Sequence, residues 1–301
     1  MNPVALVTGA SAGIGSAFAR ELAARGHDLV LTARRADRLD ALAEELRRDH
    51  AVAAHCIPLD LAESDAPNRL AGEVARLGLQ VDLLVNNAGY GVTGSFVSRT
   101  WSTHADFTRV LVVAPTELCH RLLPGMRARR RGRIINVASL AGLLPAPAGH
   151  TLYAASKAWL IRFSQALALE NRAHGIHVCA LCPGFTWSEF HDVTGTRERM
   201  HRLPRWLWMD AASVARDGEA LRFAGVLSRE CVPALWRRAL PLVAGARSFD
   251  LAGVARIDSA GVALLAELAA RAGAGVAIAG NPPGLSELRA AYRLQANLGF
   301  A

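Results

Sequence analysis

Thr8-Gly-Ala-Ser-Ala-Gly-Ile-Gly15 stands between an apolar run, Val4–Val7, and an amphipathic stretch, Ile14–Arg25. Few folds accept three glycines at such a junction. A tight turn there lets the backbone approach a bound group closely. The helix that follows offers free N–H groups and the positive end of its dipole. A pyrophosphate suits that chemistry, so Gly9, Ser11, Gly13, Ile14 and Gly15 are expected to cradle one. Glycine trios also occur in plain turns. The strand signal before this one and the helix signal after it carry the reading.

The same alternation continues along the chain. Apolar, β-rich runs recur at Leu29–Leu31, Val81–Val85, Ile134–Val137 and His177–Leu181, with amphipathic stretches between them, among them Asp37–Arg48 and Thr151–Ala173. This rhythm predicts an α/β fold with a doubly wound parallel sheet and helices on both faces. In such sheets ligands bind beyond the carboxyl ends of the strands. The residues just after each run are therefore the ones to weigh. Arg34 and Arg35 follow the second run, where an acidic residue would bind a ribose 2′-hydroxyl. Arginine there favours a 2′-phosphate instead, hence NADP(H) over NAD(H). Asp60 and Leu61 follow the third run and suit an adenine edge; Asn86, Ala88 and Gly89 follow the fourth and suit the body of the same cofactor.

Lys157 is the one lysine among 34 basic residues; every other one is arginine. Arginine is always charged and forked, whereas an ammonium is compact and its pKa can be tuned. A position that keeps lysine against this bias needs an ammonium. Tyr153 lies four residues earlier, which places both side chains on one helix face. A cation beside a phenol favours the phenolate.

Together these segments resemble the short-chain dehydrogenase/reductase family, of the NADP-preferring kind, over about residues 3–212. The carriers are Thr8–Gly15, Asp60, Asn86–Gly89, Ser139, Tyr153-x-x-x-Lys157 and Pro183-Gly184. The resemblance implies an oxidoreductase that interconverts a carbonyl and an alcohol. Tyr153 would exchange a proton with the substrate oxygen, and Ser139 would hydrogen-bond it. Lys157 would lower the Tyr153 pKa and hold the nicotinamide ribose, as part of a cofactor site that also takes in Tyr153. Pro183, Gly184 and Thr186 would line the nicotinamide. Dimers and tetramers are frequent in this family, which makes a homo-oligomer an open expectation. One position departs from the pattern. Where the family usually carries an asparagine that supports a water next to the lysine, this chain has Leu111. Leucine makes no side-chain hydrogen bond, so the proton route is expected to be slowed, rerouted or lost. Pro115 is expected to kink the same helix. Trp187–Trp208 is rich in bulky apolar groups and is expected to cover a pocket for an apolar substrate. Its Glu189, His191 and His201 are read as solvated.

Beyond about residue 212 the pattern changes. Ala220–Leu227 reads as a strand, Ser228 or Arg229 to Val243 as a helix, Ser248–Leu251 as a strand, and Asp258 or Ser259 to Ala272 as a helix. A strand at Val276–Ala279 and a helix from Pro283 or Gly284 to Leu294 complete it. The second domain is set at 213–301, and its residues from about 216 to 301 resemble the STAS domain of anti-sigma-factor antagonists and lipid-asymmetry transporter subunits, carried above all by Arg256-Ile-Asp-Ser-Ala-Gly-Val-Ala-Leu-Leu265. That resemblance implies a protein partner, with Ser259 a phosphorylation or docking point. The strand Ala220–Leu227 is expected in its own sheet rather than beside His177–Leu181. The family's usual last strand and tail are absent from the first part.

Composition limits the remaining classes. The chain has 301 residues, 51% of them hydrophobic, and a formal charge of +8. Its arginines are dispersed except for Arg127–Arg133, which sits at a helix end where cations complement the dipole, so nucleic acid is not expected. Five scattered cysteines without a completing histidine set argue for reduced thiols, no metal and a cytoplasmic protein. No apolar run reaches the length of a membrane span.

Overall fold

The computed structural model describes residues 2–187, 208–217, 220–240, 243, 246, 248–272 and 276–295. The chain forms two compact units, 1–216 and 217–301.

The first unit is built on β1 (Val4–Thr8), α1 (Gly13–Ala24), β2 (Asp28–Ala33), α2 (Ala36–His50), β3 (Ala54–Pro58), α3 (Ala66–Arg76) and β4 (Val81–Asn86). It continues through α4 (Trp101–Thr108), α5 (Ala114–Arg129), β5 (Gly132–Val137), α6 (Thr151–Asn171) and β6 (Ile176–Leu181). The six strands pair in parallel in the order β3-β2-β1-β4-β5-β6. The order reverses direction between β1 and β4, so the switch point lies at their carboxyl ends. β1 is buried along its whole length, which suits a central strand covered on both faces. Alternate residues feed two cores. Ala5 and Val7 pack with Phe18, Leu22 and Leu39 on one face, and Val4 and Leu6 with Leu70, Phe107 and Leu118 on the other.

The arginine run is used to tie elements together. Arg127 Nε donates to Asn171 Oδ1 at 2.6 Å, Arg129 to the Val81 carbonyl at 2.9 Å and Arg130 to the Ala173 carbonyl at 3.1 Å. Arg131 pairs with Asp82 at 3.0 Å. Between α4 and α5 the helix opens into a π turn, Arg109–Val113, which ends two residues before Pro115. The expected irregularity is thus a widened turn. A short parallel pair, β7 (Phe185–Trp187) with β8 (Trp208–Asp210), flanks the bulky segment, most of which lies outside the described residues, as do Glu189, His191 and His201.

Helix α7 (Ala211–Asp217) closes the first unit, with Val214 and Ala215 buried and Ala215 in the same core as Phe18. The division between the two compact units follows Arg216.

The second unit contains β9 (Ala220–Leu227), α8 (Val232–Ala239), β10 (Ser248–Ile257), α9 (Ser259–Ala272), β11 (Ala277–Ala279) and α10 (Leu285–Tyr292). β9 pairs with β10, in a parallel sheet of order β11-β10-β9. Helix α8 is shorter than expected and β10 is six residues longer than Ser248–Leu251. Its late residues, Gly253 to Ile257, keep pairing with β9 across register shifts, a continuation that alternation alone conceals. Phe223, Phe249, Leu251, Leu265 and Leu268 form a core of this unit's own.

Candidate active site

A cleft of about 1040 Å³ runs along the carboxyl ends of the first unit's strands. At one end is the glycine loop. Gly9 has φ of +66°, and a Cβ there would stand 2.8 Å from Asn87 Nδ2. A Cβ on Gly15 would stand 2.2 Å from the Gly9 carbonyl oxygen, so α1 can approach the loop only with glycine at that point. Thr8 Oγ1 accepts from the backbone N–H groups of Asn87 and Ala88 at 2.9 and 3.0 Å and holds the ends of β1 and β4 together. Asn87 Nδ2 donates to the Thr8 carbonyl at 2.9 Å.

Beside the loop, an Arg35 guanidinium N–H donates to Ser11 Oγ at 3.1 Å. Arg34 lies 3.9 Å from Asp60. One guanidinium at the helix start thus meets the loop hydroxyl and a second stands beside Asp60 on the same cleft, an arrangement suited to a phosphate monoester.

At the other end, Ser139, Tyr153 and Lys157 all line the cleft. Ser139 follows β5, and its Oγ accepts from Ala141 N–H at 3.1 Å, capping the short 3₁₀ turn Leu140–Gly142. It also hydrogen-bonds the Tyr153 side chain. Burial pushes the Tyr153 phenol up, and the Ser139 hydrogen bond opposes that rise. Lys157 is buried, donates to the Val137 carbonyl at 2.7 Å and lies 5.7 Å from the Tyr153 ring centre. Burial pushes its pKa down to about 8, against the attraction of Cys182. The group that opposes burial at the phenol in this protein is thus Ser139, with the lysine stationed beside the ring.

Gly9, Ser11, Gly13, Ile14, Arg34, Arg35, Asp60, Leu61, Ala88, Gly89, Pro183, Gly184 and Thr186 also line the cleft. Gly15 and Asn86 do not. Gly15 sits under the loop, as its contact with Gly9 requires. Asn86 is the last residue of β4 and points into the core, where its Nδ2 donates to Asn136 Oδ1 at 2.9 Å. Successive residues at a strand end face opposite ways, so the cleft takes Asn87 instead. Tyr90, Asp106, Val110, His150 and Phe185 also line the cleft and carried no sequence signal. Their positions come from loops, α4, the π turn and the start of β7, which no motif spacing fixes. Leu140, Leu144 and Phe185 give its rim large exposed apolar side chains. Leu111 is buried, against Gly89.

In the second unit Asp258, rather than Ser259, caps α9. Its carboxylate accepts from the N–H groups of Ala260 and Gly261 at 2.9 Å each, and from Arg229 N–H at 3.0 Å. These bonds, led by that of Gly261, hold its carboxyl below the usual range. Ser259 is exposed in the first turn. All five cysteines are free thiols, and no cluster of metal-ligating side chains occurs among the described residues. No helix among them is long and apolar enough to cross a membrane.

A parallel α/β sheet with a glycine loop at its switch point, and a serine, tyrosine and lysine gathered on the same cleft, defines a nucleotide-site oxidoreductase architecture. Residues 3–198 match the family described as short chain dehydrogenase, and the chain belongs to that family. Nodulation protein G of Rhizobium sp. (strain N33) is 39% identical over 196 residues, covering 65% of this chain and 78% of that protein. A very-long-chain 3-oxoacyl-CoA reductase of Homo sapiens is 34% identical, covering 60% of this chain and 58% of its own length. Among solved structures, a short-chain dehydrogenase from Sphingobium yanoikuyae in complex with NADPH superposes with a TM-score of 0.66 at 34% identity, covering 71% of this chain and 81% of that one. Residues 212–299 match a second family, described as Mlab, STAS domain.

Proposed function

We propose that the first unit is an NADP(H)-dependent oxidoreductase interconverting a carbonyl and an alcohol on an apolar substrate. One observation carries the reading: a single cleft joins the Ser11–Arg35 corner to Ser139, Tyr153 and Lys157. The cofactor fits these residues. The loop backbone, open at Gly9 and Gly13, would take the pyrophosphate, and Arg34 and Arg35 the 2′-phosphate. Asp60 and Leu61 would border the adenine, and Pro183, Gly184 and Thr186 the nicotinamide. Bound there, the cofactor supplies or accepts the hydride. Ser139 orients the substrate oxygen, and Tyr153 gives that oxygen its proton or takes it back. Lys157 holds the ribose hydroxyls and keeps positive charge beside the phenol. The NADPH complex of the Sphingobium yanoikuyae relative supports the cofactor. The exposed Leu140, Leu144 and Phe185 at the rim support an apolar substrate, as does the activity named for the Homo sapiens relative.

The second unit is read as a protein-interaction module, with Ser259 its exposed phosphorylation or docking point, and the whole as a cytoplasmic protein able to self-associate. Leu111 favours one other reading, a nucleotide-binding regulatory protein with little turnover. NADPH oxidation by the full chain, against a panel of aldehydes and ketones of increasing chain length, separates the two. Turnover that rises with chain length, prefers NADPH to NADH and disappears in Tyr153→Phe supports the enzyme. NADPH binding without turnover on any substrate supports the regulator.

A further inference from the structure

Away from the glycine loop, most polar side chains on the cleft are already engaged. Ser139 accepts from Ala141 N–H and hydrogen-bonds Tyr153. Lys157 donates to the Val137 carbonyl, and Thr186 Oγ1 donates to the Gly184 carbonyl at 3.2 Å. Asp106 pairs with Arg109 at 2.9 Å. Tyr90 packs edge-on against Phe107, ring centres 5.5 Å apart, within the fields of Asp106, Arg34 and Asp60. His150 differs from all of these. Its half-buried imidazole lines the cleft and makes no hydrogen bond to any described residue.

The local chain fixes where that imidazole stands. Pro145 and Pro147 restrict the segment before it. His150 N–H donates to the Pro147 carbonyl at 3.3 Å, and Gly94 N–H ties the Gly149 carbonyl at 3.2 Å. Gly149 has φ of +84°, a turn into the helix that suits glycine. His150 is then the N-cap of α6 and Tyr153 its third residue, two positions whose side chains meet on one side of the first turn. No acidic residue stands in that turn and no side chain caps it, so the positive end of this 21-residue helix favours an oxygen there. The wall around the pair is apolar, formed by Leu140, Leu144, Pro145, Pro147, Ala148 and Phe185. An apolar pocket with one placed donor selects a ligand that carries one matching acceptor.

We propose that His150 is a specificity-determining residue that donates a hydrogen bond to a second oxygen of the substrate, close to the reacting carbonyl. Side chains three apart on a helical turn have Cβ atoms about 5–6 Å apart, a separation that two carbonyls joined by one methylene can span. The substrate class is therefore the 3-oxo esters and thioesters of apolar acids. The ester group is bound and unchanged. Hydride and proton go to the neighbouring ketone, which becomes a hydroxyl as the cofactor is oxidised. This deepens the oxidoreductase reading given above and rests on it.

NADPH-dependent reduction by the full chain tests the contact with two compounds, an ethyl 3-oxoalkanoate and the 2-alkanone of the same chain length. The readout is the ratio of their kcat/KM values, which cancels any general loss of folded enzyme. His150→Leu is expected to lower that ratio about tenfold, mainly through the KM of the ester. His150→Gln keeps an N–H donor and is expected to hold the ratio within about threefold of wild type. An unchanged ratio in His150→Leu overturns the proposal, and so does a ratio in His150→Gln as low as that expected for leucine. If the wild type reduces neither compound, the oxidoreductase reading fails. Calorimetric titration of the ester into NADPH-loaded protein then decides the contact. A Kd about tenfold weaker in His150→Leu supports it. An equal Kd, or no binding to the wild type, overturns it.

Discussion

Tyr153 and Lys157 are set against each other by burial, which raises the phenol and lowers the ammonium to about 8. The direction of the lysine shift fixes a pH dependence. Below about 8 the side chain is an ammonium, with the positive charge beside the phenol that the proposed mechanism uses; above it the neutral amine no longer supplies that charge. Carbonyl reduction is therefore expected to be level up to about pH 8 and to fall beyond it, well before the 10.5 of an ordinary lysine. A kcat/KM profile that stays level to pH 10 contradicts this. Lys157→Arg should abolish the break and lower kcat about a hundredfold, since a guanidinium stays charged and cannot place one compact donor on the Val137 carbonyl. Tyr153→Phe would remove the proton that the proposed mechanism exchanges, with an expected loss of about 10²–10⁴ in kcat and NADPH affinity nearly intact. Arg35→Ala should cost NADPH about tenfold in affinity and leave NADH nearly unaffected, because the 2′-phosphate that its guanidinium is proposed to meet is absent from NADH.

At the scale of the element, two glycines show why short motifs were legible. Gly15 lets α1 close on the loop, and Gly261 lets α9 close on the end of β9, where a Cβ would stand 2.3 Å from the Leu227 carbonyl oxygen. Gly261→Ala is expected to lower the stability of the second unit while NADPH affinity holds within about twofold; a shift in cofactor binding of tenfold would contradict the separation of roles. Such positions are readable because backbone sterics admit one residue type. The strands were readable for a related reason, since β1, β2 and β4 are buried on both faces and read as apolar runs, Val4–Val7 and Leu29–Leu31 unbroken and Val81–Val85 interrupted only by Asp82. What the sequence concealed was the facing of side chains at element ends. Asn86 and Asn87 are the same residue type side by side, and only the strand's pleat decides that one enters the core and the other the cleft. Asp258 and Ser259 posed the same ambiguity at a helix start, and the bonds to Ala260 and Gly261 assign the cap to the aspartate. The π turn was equally hidden, because Pro115 announces a disturbed helix without stating its form.

For the whole molecule the question is how far the two units depend on each other. Each has its own sheet and its own core, Phe18 and Phe107 with their neighbours in one, Phe249 and Leu265 with theirs in the other. The segment that joins them is claimed twice. The second family's match begins at residue 212, yet α7 carries Ala215 into the first unit's core. Independent cores predict two unfolding transitions in calorimetry of the full chain. A ligand that binds one native unit stabilises that unit alone, by about 2.7 kcal/mol at a hundredfold excess over Kd. For a unit of roughly 200 residues this is a rise of about 5–10 °C. NADPH is therefore expected to move one transition by that amount and leave the other where it is. Arg35→Ala should shrink the moved transition's shift and Gly261→Ala should lower only the unmoved one. A single transition that NADPH shifts as a whole would contradict the independence of the two cores.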